Sequence, residues 1–161
     1  MNPNTLTHNP IGLDLQQANQ LADNLQILLA DYSVFYLNVR GFHWNIKGDK
    51  FFELHAKFEE LYNDLQIKID EVAERILTLG ATPLHTYEAY LQDSEVEAVN
   101  NVSNGQTAVQ NILAAFARLL KRQREILSLS DEAGDEGTNA LMSDYIREQE
   151  KLSWMYRAYL G

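Results

Sequence analysis

Between Asp49 and Gly80 the chain runs for about thirty residues without a glycine or a proline. At 1.5 Å per residue that is about 45 Å of unbroken helix. Gly80, with Pro83 just beyond, is a stop signal, and Asp49 stands where an N-cap belongs. Phe51, Leu54, Phe58, Leu61, Leu65, Ile69, Val72 and Ile76 recur at spacings of three and four. Such a stripe belongs to a helix packed in a bundle, which directs the chain to an all-α fold. Lys57, Glu60, Asp64, Lys68, Glu71 and Arg75 fall on the opposite side and read as a solvated face.

A third group fits neither face. At 100° per residue, His55, Glu59, Asp70 and Glu74 line one flank of the stripe. His55 and Glu59 are i,i+4 neighbours, as are Asp70 and Glu74, so each pair has the spacing to hold one side of a metal ion. His55 and Asp70, however, lie fifteen residues apart, about 22 Å along the axis. One ion cannot reach both pairs within one helix. The midpoint of 55 and 74 is 64.5, and so is the midpoint of 59 and 70. A second copy packed antiparallel about a two-fold axis at that point brings His55 and Glu59 against the other copy's Asp70 and Glu74. Such a contact is isologous and makes two equivalent sites, shared between subunits. A salt-bridged interface without metal is the competing reading of the same symmetry.

The rest of the chain supplies the other helices. A first helix is expected from about Asp14 to Asn45, with Leu15, Ala18, Ala22, Leu25, Leu29, Tyr32, Tyr36 and Val39 inward. His43 continues that stripe. It reads either as a packed histidine hydrogen-bonded to a neighbour or as a further ligand. The loop Ile46–Gly48 is short, so the first two helices are antiparallel neighbours, and His43 and His55 face the same end of one hairpin. Residues 81–102 form a long connection in which YEAYLQ has the makings of one or two helical turns; His85 reads as a surface or packing residue. Ser103 with Gln106 resembles a capping box ahead of a third helix to about Leu129. A fourth helix is expected from Thr138 to Leu160, with Leu141, Tyr145, Leu152, Met155 and Tyr159 inward. The turn between them holds Asp131, Glu132, Asp135 and Glu136. Those acids either stabilise a helix N-terminus or line a channel for cations. Residues 1–13 read as a mobile tail ahead of one bundle domain over 14–161.

Composition narrows the function classes. The 161 residues carry a formal net charge of −10, which attracts cations and repels nucleic acid and anionic membrane. The first Lys or Arg is Arg40, and no basic extension follows the last helix. A DNA-coating nucleoid protein, the alternative reading, needs such residues, and no appreciable direct DNA binding is expected. There is no cysteine, which excludes thiolate chemistry and fits a reducing compartment, the cytoplasm. The N-terminus has neither a basic region nor an apolar core of the signal-peptide kind. The uncharged stretch 98–117 is too rich in Asn and Gln for a membrane span. Nucleophile elbows and phosphate loops are absent. Two histidines with three carboxylates suit iron, manganese or zinc, not calcium. No Glu-x-x-His occurs, so the usual one-subunit di-iron motif is missing.

His43-Trp44-Asn45, a second histidine twelve residues on at His55, then Glu59, Asp70 and Glu74, resemble the signature of the Dps family of miniferritins. The likeness runs from the first helix to the last. It implies a ferritin-like four-helix bundle with a long crossover carrying a short helix, assembled into a hollow homododecamer. It implies a ferroxidase that oxidises Fe(II), preferably with hydrogen peroxide, and stores the ferric mineral inside, limiting oxidative damage; zinc or manganese are possible substitutes. His43, His55 and Glu59 would come from one subunit and Asp70 and Glu74 from its neighbour, at two-fold interfaces. Trp44 would quench oxidising equivalents or simply pack. Asp131, Asp135 and Glu136 would line iron-entry pores. Glu59 departs from the pattern, since many members carry Asp there.

Overall fold

A computed structural model describes residues 7–161. Five helices follow one another among these: α1 Leu15–Asn45, α2 Phe51–Leu79, α3 Tyr87–Asp93, α4 Gly105–Ala133 and α5 Glu136–Leu160. The four long ones form the bundle. α1 packs between α2 and α4, α4 packs on α5, and α3 lies on α1. The α1–α2 link turns within residues 46–50. The crossover then returns the chain along the bundle, because Lys47 N–H donates to Ser103 O at 3.0 Å, beside the same link. No helix among the described residues is long and apolar enough to cross a membrane.

The helix ends follow chain geometry more closely than residue preference. Asp14 caps α1 by accepting from Gln17 N–H at 3.0 Å. α2 stops at Gly80, whose φ of +97° lies in the left-handed region. Three expectations are corrected. The cap position of α2 is Lys50, with no side-chain bond, so Asp49 caps nothing. α4 is capped by Asn104, which accepts from Thr107 N–H, instead of by a Ser103–Gln106 box. α4 also runs on to Ala133 and α5 begins at Glu136, so the acidic run is shared between two helix ends.

Phe58, Phe35, Phe116, Leu65, Ile76 and Ile112 are among the fully buried residues of the core. Each such side chain contributes about 1.5–3 kcal/mol over its exposed state. In α5 the inward residues are Thr138, Met142, Tyr145, Gln149 and Tyr156. Of the expected set, Tyr145 is buried and Leu141 and Leu152 are half-buried, but Met155 and Tyr159 are exposed. The reason is a polar centre. Tyr32 Oη donates to Gln123 Oε1 at 2.5 Å, Gln123 Nε2 to Gln149 Oε1 at 2.9 Å, and Gln149 Nε2 to Tyr32 Oη at 2.6 Å. This closed ring has almost no access to water. Tyr32→Phe strips Gln123 and Gln149 of a partner each, and is expected to lower unfolding free energy by about 2 kcal/mol in denaturant titrations.

Three polar residues of α1 hold the crossover. Gln26 exchanges bonds with Thr82 O and Leu84 N–H. Asp31 Oδ1 accepts from Glu95 N–H, Val96 N–H and Ser94 Oγ–H. Asn38 exchanges bonds with Glu97 O and Val99 N–H. Burial raises the Asp31 carboxyl above its ordinary pKa, while those donors pull the other way. Residues 1–6 of the expected tail lie outside the described residues. Residues 7–13 lie against the bundle: Asn9 is buried and donates to Leu79 O at 3.1 Å, at the C-terminal end of α2.

Candidate metal centre

The hairpin of α1 and α2 brings His43 and His55 together. Their rings stack with centroids 3.7 Å apart and planes 17° off parallel. Each imidazole bonds to the other residue's backbone: His43 Nδ1 to His55 O at 2.7 Å, and His55 Nδ1 to His43 O at 2.8 Å. A carbonyl only accepts, so both Nδ1 atoms carry the proton and donate. The neutral ring then has its lone pair on Nε2, the state that binds a metal. The hydrogen-bonded packing role and the ligand role of His43 are therefore compatible. His43 is buried and His55 half-buried.

Glu59, Asp70 and Glu74 are exposed on α2. None joins an ion pair among the described residues. His43, His55 and Glu59 stand at one end of the flank, and Asp70 and Glu74 at the other. Among the described residues of one chain, no three His, Asp or Glu groups converge where a metal ion would sit. The donor set itself, imidazole Nε2 with free carboxylates, fits iron. Trp44 is 58% exposed, with the Arg40 guanidinium 4.6 Å from its ring.

On the charged flank of α2, Lys57, Glu60 and Glu71 are exposed as expected, but Lys68 is buried and Asp64 and Arg75 are half-buried. Lys68 is 4% exposed and donates to Asp64 Oδ1 and Glu148 Oε2, both at 2.8 Å, beneath the Tyr145 ring. Burial alone would lower its pKa; the two carboxylates outweigh burial and hold it up. Tyr145 Oη donates to Glu71 Oε2 at 2.5 Å. Burial, then this bond, raises the phenol pKa. α5 supplies Glu148 and Tyr145, so periodicity within α2 carries no signal of this face.

At the α4–α5 turn, Asp131, Glu132 and Glu136 are exposed. Asp135 is 3% exposed, caps α5 through Thr138 N–H at 3.0 Å, and pairs with Arg75 Nη2 at 2.5 Å. Its carboxylate is committed within the subunit. His85 is exposed, with Nδ1 donating to Pro83 O.

Comparison with known proteins follows the same lines. The ferritin-like domain family matches residues 22–161. An uncharacterized protein from Haemophilus influenzae is 56% identical over 148 residues, 92% of each chain. The DNA protection during starvation protein of Porphyromonas gingivalis is 43% identical over 148 residues, 92% of this chain and 93% of the other. The crystal structure of the DPS protein from Vibrio cholerae O1, a member of a broad superfamily of ferritin-like diiron-carboxylate proteins, superposes with a TM-score of 0.96 at 56% identity, over 98% of this chain and 99% of that one.

Proposed function

Because this chain belongs to the ferritin-like family and, within it, to the Dps proteins, we propose that it is a ferroxidase and iron store. It takes up Fe(II), oxidises it with hydrogen peroxide at a site shared by two subunits, and keeps the ferric product inside a hollow homododecamer in the bacterial cytoplasm. The observation that carries the reading is the pair of imidazoles with both Nδ1 protons spent on backbone carbonyls. That arrangement leaves two Nε2 lone pairs beside a flank whose carboxylates have no cation of their own.

In this reading His43, His55 and Glu59 of one subunit face Asp70 and Glu74 of another, and the carboxylates favour Fe(III) over Fe(II) by their charge. Two Fe(II) give one electron each to one peroxide, which with two protons becomes two waters. Peroxide is thus consumed without release of a radical. Glu59, one methylene longer than the commoner Asp, keeps the carboxylate at that corner. Zinc or manganese suits the same donors as a substitute. Asp131 and Glu136 remain candidates for the iron-entry pore, since their carboxylates are exposed, while Asp135 serves the turn. DNA coating is not favoured: residues 1–39 hold no Lys or Arg, and the 161 residues carry a net charge of −10.

The test is anaerobic Fe(II) loading followed by stoichiometric peroxide, read by ferric absorbance. Asp70→Ala/Glu74→Ala is expected to assemble normally and to oxidise iron at least about 100-fold more slowly, as loss of two ligands demands. Equal, slow oxidation in both proteins would reduce the symmetric set to an interface.

A further inference from the structure

The two imidazoles are the inner members of a column of four rings. Phe51, the first residue of α2, lies over His55 with centroids 4.9 Å apart and planes 24° off parallel. His55 lies on His43. Tyr62 packs against His43 nearly perpendicular to it, with centroids 5.3 Å apart and planes at 80°. Tyr62 is braced in turn by Tyr36, edge-on at 6.1 Å, and by the Arg40 guanidinium 5.6 Å from its ring.

The spacing explains how one helix builds most of this. Phe51 is i−4 to His55, whose side chain leans back over the preceding turn of the same face and so meets the Phe51 ring. The sequence alone assigns Phe51 to the apolar stripe. In the structure it is only half-buried, with one ring face against an imidazole.

A hydrogen bond at Nδ1 pins one point of an imidazole and still lets the ring tilt, which swings Nε2 through space. A ring packed on each side removes that tilt, because either imidazole would have to enter its neighbour. We infer that Phe51 and Tyr62 are positioning residues of the shared site, holding Nε2 of His55 and His43 in the orientation that receives the metal. The inference rests on the ferroxidase reading above and adds residues to it. Ligand rings fixed beforehand do not have to be ordered when the ion arrives, and loss of such support weakens metal binding about 10- to 100-fold.

The experiment uses the assembled protein and Co(II) alone, with affinity from calorimetry and ligand geometry from the visible d–d absorption. Phe51→Tyr keeps the ring and is expected to match wild type in both. Phe51→Leu keeps an apolar side chain without a ring face, and is expected to bind Co(II) about 10- to 100-fold more weakly, with a shifted d–d band, at unchanged assembly size. Tyr62→Leu should behave likewise, and Tyr62→Phe like wild type. Phe52 is 81% exposed and touches the ring of Phe51 from outside. Phe52→Ala should change nothing. Wild-type affinity and spectrum in Phe51→Leu would overturn the inference while leaving the site intact. A loss in Phe52→Ala as large as in Phe51→Leu would overturn it too, because the start of α2 in general would then be responsible. If wild type takes up no more Co(II) than Asp70→Ala/Glu74→Ala, the shared site itself fails.

Discussion

Mixing two inactive variants is expected to restore about a quarter of the wild-type iron oxidation. One variant carries His43→Ala/His55→Ala, the other Asp70→Ala/Glu74→Ala. Each alone lacks part of every site. In a two-fold pair made of one subunit of each, one site combines both defects and the other combines both intact halves. Random pairing at equal amounts leaves half of the pairs mixed, and half of the sites in those pairs whole. The arithmetic, one half of one half, sets the expected recovery at about a quarter. A site lying within a single subunit predicts no recovery at any ratio. The measurement is the initial ferric absorbance after peroxide, on co-expressed material whose mixed composition is verified by mass spectrometry. Recovery near zero in such material would sink the shared site. The premise is geometric: His55 and Asp70 share the one continuous helix α2 at a separation of about 22 Å, and no metal-sized cluster forms among the described residues of one chain.

Arg75→Ala is expected to cost about 3–5 kcal/mol, the usual penalty when a buried charge loses its partner. Arg75 lies along the N-terminal end of α5. Nη2 meets Asp135 Oδ1 at 2.5 Å and Nε donates to Thr138 Oγ1 at 2.8 Å. Its guanidinium covers Gly137 so closely that a Cβ there would fall 2.7 Å from Nη1. Asp135 is 3% exposed, so removing the arginine strands a carboxylate away from water. Adding Asp135→Asn should recover part of the loss. The amide carries no charge, yet its oxygen still accepts from Thr138 N–H and keeps the cap. Denaturant midpoints at one fixed protomer concentration make the comparison, since assembly contributes to apparent stability. A loss below about 1 kcal/mol, the range of exposed pairs, would mean that water reaches Asp135 freely.

Much of the molecule is legible in the residues in order. α2 is long because nothing in it breaks a helix, and it stops at Gly80 because a φ of +97° suits glycine. Leu54, Phe58, Leu61, Leu65, Val72 and Ile76 of the expected α2 stripe are buried, while Phe51 and Ile69 are half-buried and Lys68 is buried beside them. His43 and His55 flank a short turn, and they do meet. These features depend on neighbours three or four residues away, or on chain reach across a tight link. Periodicity and spacing record such relations directly.

What periodicity cannot record is the partner that a face meets. Lys68 sits at a polar position of α2 and reads as solvated, yet it is buried because α5 brings Glu148 and Tyr145 over it. Gln149, absent from the apolar set expected for α5, stands in the core because Tyr32 and Gln123, 117 and 26 residues away, satisfy its amide. Asp135 reads either as a helix-end acid or as a channel acid, and only the fold shows it capping α5 and pairing with Arg75, 60 residues earlier. The proposed metal-site residues divide in the same way. Their types and their symmetry about position 64.5 are properties of the sequence. The protonation of each Nδ1 and the ring column that steadies each Nε2 are tertiary, because they depend on carbonyls and rings that only the folded hairpin brings within contact.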